Sequence, residues 1–334
     1  MKKTGRGMAA AFYPIGLSGG GDPSQAMIKM KPDGTADLFL GSVEIGQGSK
    51  TVLAQIAAEE LGIDYEQVNV LCPDTDTGPF CMGTFASRVT FIAGNAVIEA
   101  AKEVKQILFN VVSQTLGAPA DGMEVAGGMI RVKGAPSTCI SMADAVGMAT
   151  FQKSMLVVGR GCFMKAPTGV DEATGACEPC YTMSYAAAYA EVEVDTLTGV
   201  VDVKKLVSVN DIGQAINPAL AEGQAEGGAS MGLGAALMEN RNPDYPKMGQ
   251  VPRSFCDYLI PTAVDMPELD VSFIETPSDG GPYGARAVGE MSSNAHAPAI
   301  VNAIYDAVGV RLTELPATPE KVLRAIVEKS AGRA

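Results

Sequence analysis

The sequence predicts an α+β fold in two lobes. Three observations carry this. The chain has 334 residues, against about 100–200 per domain. Strands and helices alternate in both halves, which favours an α+β or mixed α/β build. No fixed-period repeat of the solenoid kind is present. The first lobe is expected over residues 1–180 and the second over 181–334. With 47% hydrophobic and 19% charged residues, there is apolar material for a core, and disorder is excluded as the general state.

Ala26 to Leu40 alternates around Pro32-Asp33-Gly34, a β-hairpin pattern. A helix should start at Ser49, with Val52, Leu53, Ile56, Ala57 and Leu61 on one face and Gly62 closing it. Val68 to Leu71 reads as a short strand, and Pro73 to Ser87 as a long functional loop. Val97, Ala101, Val104, Leu108 and Val111 mark a long helix ending near Gly117, and Gly127-Gly128 turns a hairpin. A second clear hairpin spans Ser184 to Asn210, turning at Thr196 to Gly199. Asn217-Pro218 is a helix cap followed by a first helical residue. The helix beyond it carries Gly223, Gly227 and Gly234, each costing about 1 kcal/mol, so close backbone approach is expected there. Two further helices should begin near Pro298 and at Thr318-Pro319-Glu320.

A formal charge of −13 opposes binding to a phosphate backbone, so nucleic acid is excluded as a partner. The longest apolar stretch, Gly227 to Met238, is short of the roughly 18 residues that span a bilayer. No signal-peptide core follows the basic N-terminus, which makes the cytoplasm the expected compartment. Seven scattered cysteines read as reduced thiols. The pair Cys177 and Cys180 lacks the ligands of a structural zinc site and reads as chance or a weak redox pair. His296 is the only histidine, which removes Ser-His-Asp and Cys-His chemistry within one chain and suits a helix-start or packing role.

Three runs could carry chemistry. Gly46-Gln47-Gly48-Ser49-Lys50-Thr51 aims backbone N–H groups and a helix N-terminus at one point, the physics of an anion site. A tight turn with a serine cap is the alternative. Gly83-Thr84-Phe85-Ala86-Ser87-Arg88 does the same before the next helix, and two such loops point to a shared polyanionic ligand. Gly280 to Glu290 is a glycine-rich run that delivers one carboxylate just before an apolar helix. Burial there would raise its pKa and suit Glu290 to proton abstraction. The alternative is that Glu290 caps the helix.

Together these runs resemble the C-terminal half of the molybdenum-binding subunit of the xanthine dehydrogenase, or molybdenum hydroxylase, family. Gly46-Gln47-Gly48 resembles its pterin loop, and Thr84 to Ser87 its second cofactor loop. Asn217-Pro218-Ala219 and Gly223 to Gly227 resemble the start of its second-lobe helix, and Gly284 to Glu290 the run ending in its catalytic glutamate. The similarity extends from about Gly5 to Ile326. It implies two α+β lobes with mixed sheets forming a molybdenum-cofactor-binding domain.

The resemblance further implies a molybdopterin cofactor in its dinucleotide form, with molybdenum carrying a sulfido or selenido ligand. Glu290 would be the catalytic base. Gly46, Gln47, Gly48, Thr84, Phe85, Ala86, Ser87, Met231 and Gly289 would surround the cofactor. Gln47 would hydrogen-bond the pterin, and Thr84, Ala86 and Ser87 would hold it through hydroxyl and backbone donors. In most of the family this half is fused behind another of similar size, and its occurrence as a separate portion resembles the nicotinate dehydrogenases, so a large molybdopterin subunit, an iron–sulfur subunit and an FAD subunit are the implied partners, with this chain as the medium subunit. Hydroxylation of an N-heterocyclic aromatic is implied, nicotinate first and a purine second. An aldehyde or carbon monoxide dehydrogenase subunit, and a noncatalytic pterin-binding scaffold, are the alternatives. Tyr13, Leu17 and Ser18 correspond to a stretch that approaches the substrate ring. There the Tyr13 hydroxyl would meet a ring carboxylate, unless Phe12 and Tyr13 pack into the core. Two positions depart from the family pattern: Met231 stands where xanthine-oxidising relatives have glutamine, and Arg286 where lysine is usual.

Overall fold

The computed structural model describes residues 1–17, 21–72, 74–164, 169–177, 180–240 and 251–332. The chain opens with strand β1 (Lys2–Pro14), then the expected hairpin β2 (Ser24–Met30) and β3 (Ala36–Leu40), helix α1 (Ser49–Leu61) and β4 (Val68–Leu71). Helix α2 (Gly94–Leu116) follows a π-helical turn over Val89–Ala93. Then come β5 (Met123–Ala126), β6 (Met129–Val132), β7 (Ala135–Ser141), α3 (Met142–Gly147) and β8 (Val158–Phe163). The second half contains β9 (Met183–Asp195), β10 (Val201–Asp211), α4 (Pro218–Leu237), β11 (Glu268–Ile274), α5 (Met291–Asn294), α6 (His296–Val308) and α7 (Pro319–Ser330).

Two four-stranded mixed sheets, ordered β4-β3-β2-β8 and β1-β9-β10-β11, confirm the α+β fold, with β5-β6-β7 forming a small third sheet. β3 runs parallel to β4 and β10 parallel to β11, while the other pairs are antiparallel. β1 lies on the second-half sheet, pairing with β9 from Lys2↔Asp195 to Pro14↔Met183, so the start of the chain is hydrogen-bonded into the later lobe. Its inward face is made of small residues because α6 lies against it. A Cβ at Gly5 would come within 2.2 Å of Ala303 O, and one at Gly7 within 2.2 Å of Ala299 O.

One core gathers β2, β3, α1 and α2 around Ile28, Leu38, Leu53, Ile56 and Leu108, and a second gathers β9, β10, α4 and α6 around Val192, Leu206, Leu233 and Ile300. The glycines of α4 divide by environment. Gly228, Gly232 and Gly234 meet close neighbours: a Cβ would fall 2.0 Å from Ser292 Oγ, 2.6 Å from His296 Cβ and 2.2 Å from Glu239 Oε1, respectively. Gly223 and Gly227 face open space. The close approach expected at those two positions is therefore absent, because they lie on the exposed side of a helix whose opposite side packs on α5 and α6. His296 starts α6 as expected and is buried, and the loss of hydration pushes its imidazole down to about 4. No helix among the described residues is long and apolar enough to cross a membrane.

Candidate functional site

The three glycine-containing runs meet at one cleft. Asn217 caps α4 through its side chain, accepting from Leu220 N at 3.0 Å, and reaches α1 by donating to Gln55 Oε1 at 3.1 Å. Gly48 lets α1 and α4 approach, since a Cβ there would sit 2.7 Å from Leu220 Cδ1. The Glu290 loop is anchored to the first lobe on its other side. Asn95 donates to Gly280 O at 2.8 Å, Tyr283 donates to Glu60 at 3.0 Å, and Gly94 leaves room for Pro282. Elements of both cores thus fix the frame that holds the cleft.

The cleft encloses about 580 Å³, within the range of roughly 300–1,000 Å³ usual for small-molecule sites. Of the residues expected to surround a cofactor, Gln47, Thr84, Phe85 and Ser87 line one wall. Met231, Gly289 and Glu290 line the other. Gly46 and Gly48 shape the turn beneath Gln47, both with positive φ, without forming the wall. Ala86 is also off the wall, its carbonyl accepting from Gly16 N at 3.0 Å. That bond docks the segment carrying Tyr13 and Leu17 onto the second loop. Leu17 is exposed and off the cleft wall, and its N–H donates to Asp22 at 2.9 Å. Ser18 lies outside the described residues. Phe12 is exposed rather than packed, while Tyr13 is half-buried against the second core. Burial and, after it, the charge of Glu290 push the Tyr13 phenol up.

The first loop differs from its expected anion site in one respect. Its backbone donors are already engaged: Gly46 N, Gly48 N and Lys50 N donate to the Glu44 carboxylate at 2.8, 2.9 and 3.0 Å. The chain itself supplies the anion at this helix N-terminus. Partial burial pushes the Glu44 carboxyl up, but the N–H donors of Lys50, Gly48 and Gly46 outweigh it and hold it below the ordinary carboxylate value. The Gln47 amide nitrogen donates to Val43 O and Ser49 Oγ, both at 3.0 Å, and its oxygen accepts from Ile45 N at 2.7 Å. With both N–H groups in use, Gln47 offers the cleft its remaining carbonyl lone pair.

In the second loop the Thr84 hydroxyl staples the two loops together, donating to Val43 O at 2.7 Å and accepting from Val43 N at 3.0 Å. Ala86 and Ser87 both adopt the left-handed region, at φ 45° and 52°, which costs non-glycine residues of order 1–3 kcal/mol each. A buried ion pair absent from sequence reasoning braces this loop. Arg88 and Asp22 are both buried, and Arg88 Nε lies 2.5 Å from Asp22 Oδ1. Arg88 also donates to Cys81 Sγ, Gly83 O and Pro23 O at 3.0, 2.8 and 2.9 Å. An arginine directly after a loop serine is a signal too common to have identified it.

The expected burial of Glu290 is not found. The residue is exposed at the cleft wall. Its side chain makes no capping bond to α5. It lies against the second loop instead, where Ser87 Oγ donates to the carboxylate and accepts from Glu290 N at 3.0 Å. Arg286, one turn of chain earlier, points away, donating to Met183 O at 2.8 Å and lying 3.6 Å from Asp211. Cys177 is exposed, and Glu178 and Pro179 lie outside the described residues. Among the described residues no cluster of three or more His, Cys, Asp or Glu is placed to hold a metal ion.

Residues 1–267 match the molybdopterin cofactor-binding domain family. The chain is 36% identical over 308 residues to the nicotine 6-hydroxylase large subunit of Paenarthrobacter nicotinovorans, covering 90% of this chain and 36% of the relative. It is 31% identical over 312 residues to the xanthine dehydrogenase molybdenum-binding subunit of Escherichia coli O157:H7, covering 93% of this chain and 40% of that one. Among solved structures, quinoline 2-oxidoreductase from Pseudomonas putida 86 superposes with a TM-score of 0.87 at 27% identity, over 98% of this chain and 42% of that chain. The chain therefore spans well under half the length of these relatives.

Proposed function

Because this chain belongs to the molybdopterin cofactor-binding domain family, we propose that it forms one wall of the cofactor site in a multi-subunit molybdenum hydroxylase. The substrate we assign is an N-heterocyclic aromatic, and the reaction nicotinate to 6-hydroxynicotinate. The observation that carries this reading is the cleft itself, where Gln47, the 84–87 loop and Glu290 converge from three separate parts of the sequence. A relative that hydroxylates nicotine supports the heterocycle.

The residues present fit such a cofactor. Gly227 on the cleft wall would direct a Cβ into empty space, so bare backbone faces the volume where a flat ring system can lie. Gln47 offers an amide oxygen to a pterin N–H, and the 84–87 loop supplies polar backbone. The cofactor, when bound, supplies two-electron redox chemistry with water as the oxygen source. The net change is ring C–H plus water to ring C–OH, two protons and two electrons. Glu290 takes up a proton at its carboxylate, which Ser87 holds at the wall. Tyr13, half-buried and not itself among the cleft-lining residues, carries the phenol O–H that we assign to a ring carboxylate such as that of nicotinate.

Met231, exposed on the cleft wall, offers only a weakly accepting thioether. This supports a pyridine-type substrate over a purine whose oxygens need strong donors. The relatives' names, a large subunit and a molybdenum-binding subunit, support an assembly of several subunits, in which we assign a large molybdopterin subunit to completing the cleft and iron–sulfur and FAD subunits to taking the electrons. The test is purification of the assembly from its native host, with molybdenum, selenium, iron and flavin counted per complex and nicotinate turned over in ¹⁸O-labelled water. We expect labelled 6-hydroxynicotinate. A complex that oxidises xanthine, an aldehyde or carbon monoxide but no pyridine would overturn the substrate assignment. A chain isolated without molybdenum or partners would overturn the function.

A further inference from the structure

We propose that Ser87 is the positioning residue for Glu290, rather than a hydroxyl donor to the cofactor. The proposal rests on the reading of Glu290 as the base. A glutamate on a cleft wall has three rotatable bonds and many arrangements to choose from, and a base works only when its carboxylate is held within reach of the proton it takes. One oxygen does this here. Ser87 Oγ accepts from the backbone N–H of Glu290 at 3.0 Å and donates its proton to the carboxylate of the same residue. The hydroxyl fixes main chain and side chain together, across 203 positions of sequence.

The surroundings are built around this contact. Ser87 reaches it only with left-handed backbone, following a second left-handed residue, Ala86. That conformation is clamped on one side by the Gly16 N–H on Ala86 O at 3.0 Å, and on the other by the fully buried Arg88 paired with Asp22. Gly289 is the facing half: a Cβ there would stand 2.5 Å from Ser87 Oγ and drive the hydroxyl away. Glycine at 289 and a strained serine at 87 are thus two parts of one contact. The neighbouring hydroxyl, Thr84, serves as a comparison. It bonds only the Val43 backbone and holds loop to loop.

With its proton committed to Glu290, Ser87 has no O–H left for a cofactor oxygen. Loss of the hydroxyl should therefore spare cofactor content and strike turnover.

The test compares Ser87→Gly with wild type in the assembled complex. Glycine removes the hydroxyl while accepting the left-handed backbone without strain. We expect unchanged molybdenum and pterin content, KM within about twofold, and kcat lowered about 10–100-fold, the scale of a misplacement near 1 Å. A crystal structure of the variant should show the Glu290 carboxylate displaced or in several rotamers. Gly289→Ala should reproduce the low kcat by pushing Ser87 aside. Loss of molybdenum in Ser87→Gly would make Ser87 a cofactor ligand and overturn the proposal, as would wild-type kcat with an unmoved carboxylate. If Glu290→Gln keeps full turnover, the base assignment fails instead, and the carboxylate position in the Ser87→Gly crystal still decides whether Ser87 holds it.

Discussion

The Glu44 carboxylate accepts the backbone N–H of Gly48 at 2.9 Å, filling from within the chain the donor nest at the start of α1. Gly46 N, Lys50 N and Ser49 Oγ converge on the same carboxylate. We expect Glu44→Ala to destabilise the fold by about 1–2 kcal/mol, the scale of a lost helix cap. The sign of the pH dependence follows from the lowered carboxyl. Its contribution is present above the unfolded carboxylate pKa and is lost as pH falls through the lower folded one. Denaturant melts of wild type and variant should therefore converge at acid pH.

His296 gives a second pH dependence. Its folded value is pushed down to about 4, from an ordinary imidazole value of 6.5. Between these values the unfolded chain binds the proton and the folded chain does not, so stability falls as pH drops from 6.5 to 4. The full effect is on the order of 3 kcal/mol. His296→Leu should flatten melting temperature across that window. An equal slope in the variant would assign the dependence elsewhere.

The α4 glycines make opposite forecasts. Gly223→Ala meets nothing within 4 Å and should stabilise by about 0.5–1 kcal/mol. Gly228→Ala would place a Cβ 2.0 Å from Ser292 Oγ and should cost about 1–3 kcal/mol by overpacking against α5. Thermal melts of the two variants should shift in opposite directions.

Breaking the buried Asp22–Arg88 pair leaves a guanidinium without its counter-charge. We expect Asp22→Asn to cost about 3–5 kcal/mol and to loosen the 83–87 loop, seen as faster amide exchange there.

Much of this was legible beforehand because it is local. Asn217-Pro218 capped α4 as read, Gly62 closed α1, and Pro32-Asp33-Gly34 turned β2 into β3. β1 was not legible. Its inward face is Gly5, Gly7, Ala9 and Ala11, small because α6 lies on it, so no apolar alternation announces the strand. The pairing of Asp22 with Arg88, and the curl of Glu44 into its own loop, are relations in space between residues whose types are individually unremarkable. The Glu290 run was recognisable by its glycines and its single acid. Its partner was not, because Ser87 lies 203 residues away and looks like any loop serine.

Tyr13→Phe separates carboxylated from neutral substrates. With the phenol O–H removed, KM for nicotinate should rise about tenfold, the worth of roughly 1.4 kcal/mol, while an uncharged pyridine is unaffected. Equal changes for both would remove Tyr13 from substrate recognition.

The most direct measurement is Glu290→Gln in the assembled complex, with molybdenum and pterin counted alongside turnover. The substitution keeps size and polarity while removing the basic carboxylate. We predict normal cofactor content with hydroxylation reduced by about 10²–10⁴-fold, the range for a lost general base. Turnover close to wild type with the cofactor in place would show that the carboxylate on this cleft wall is not the base.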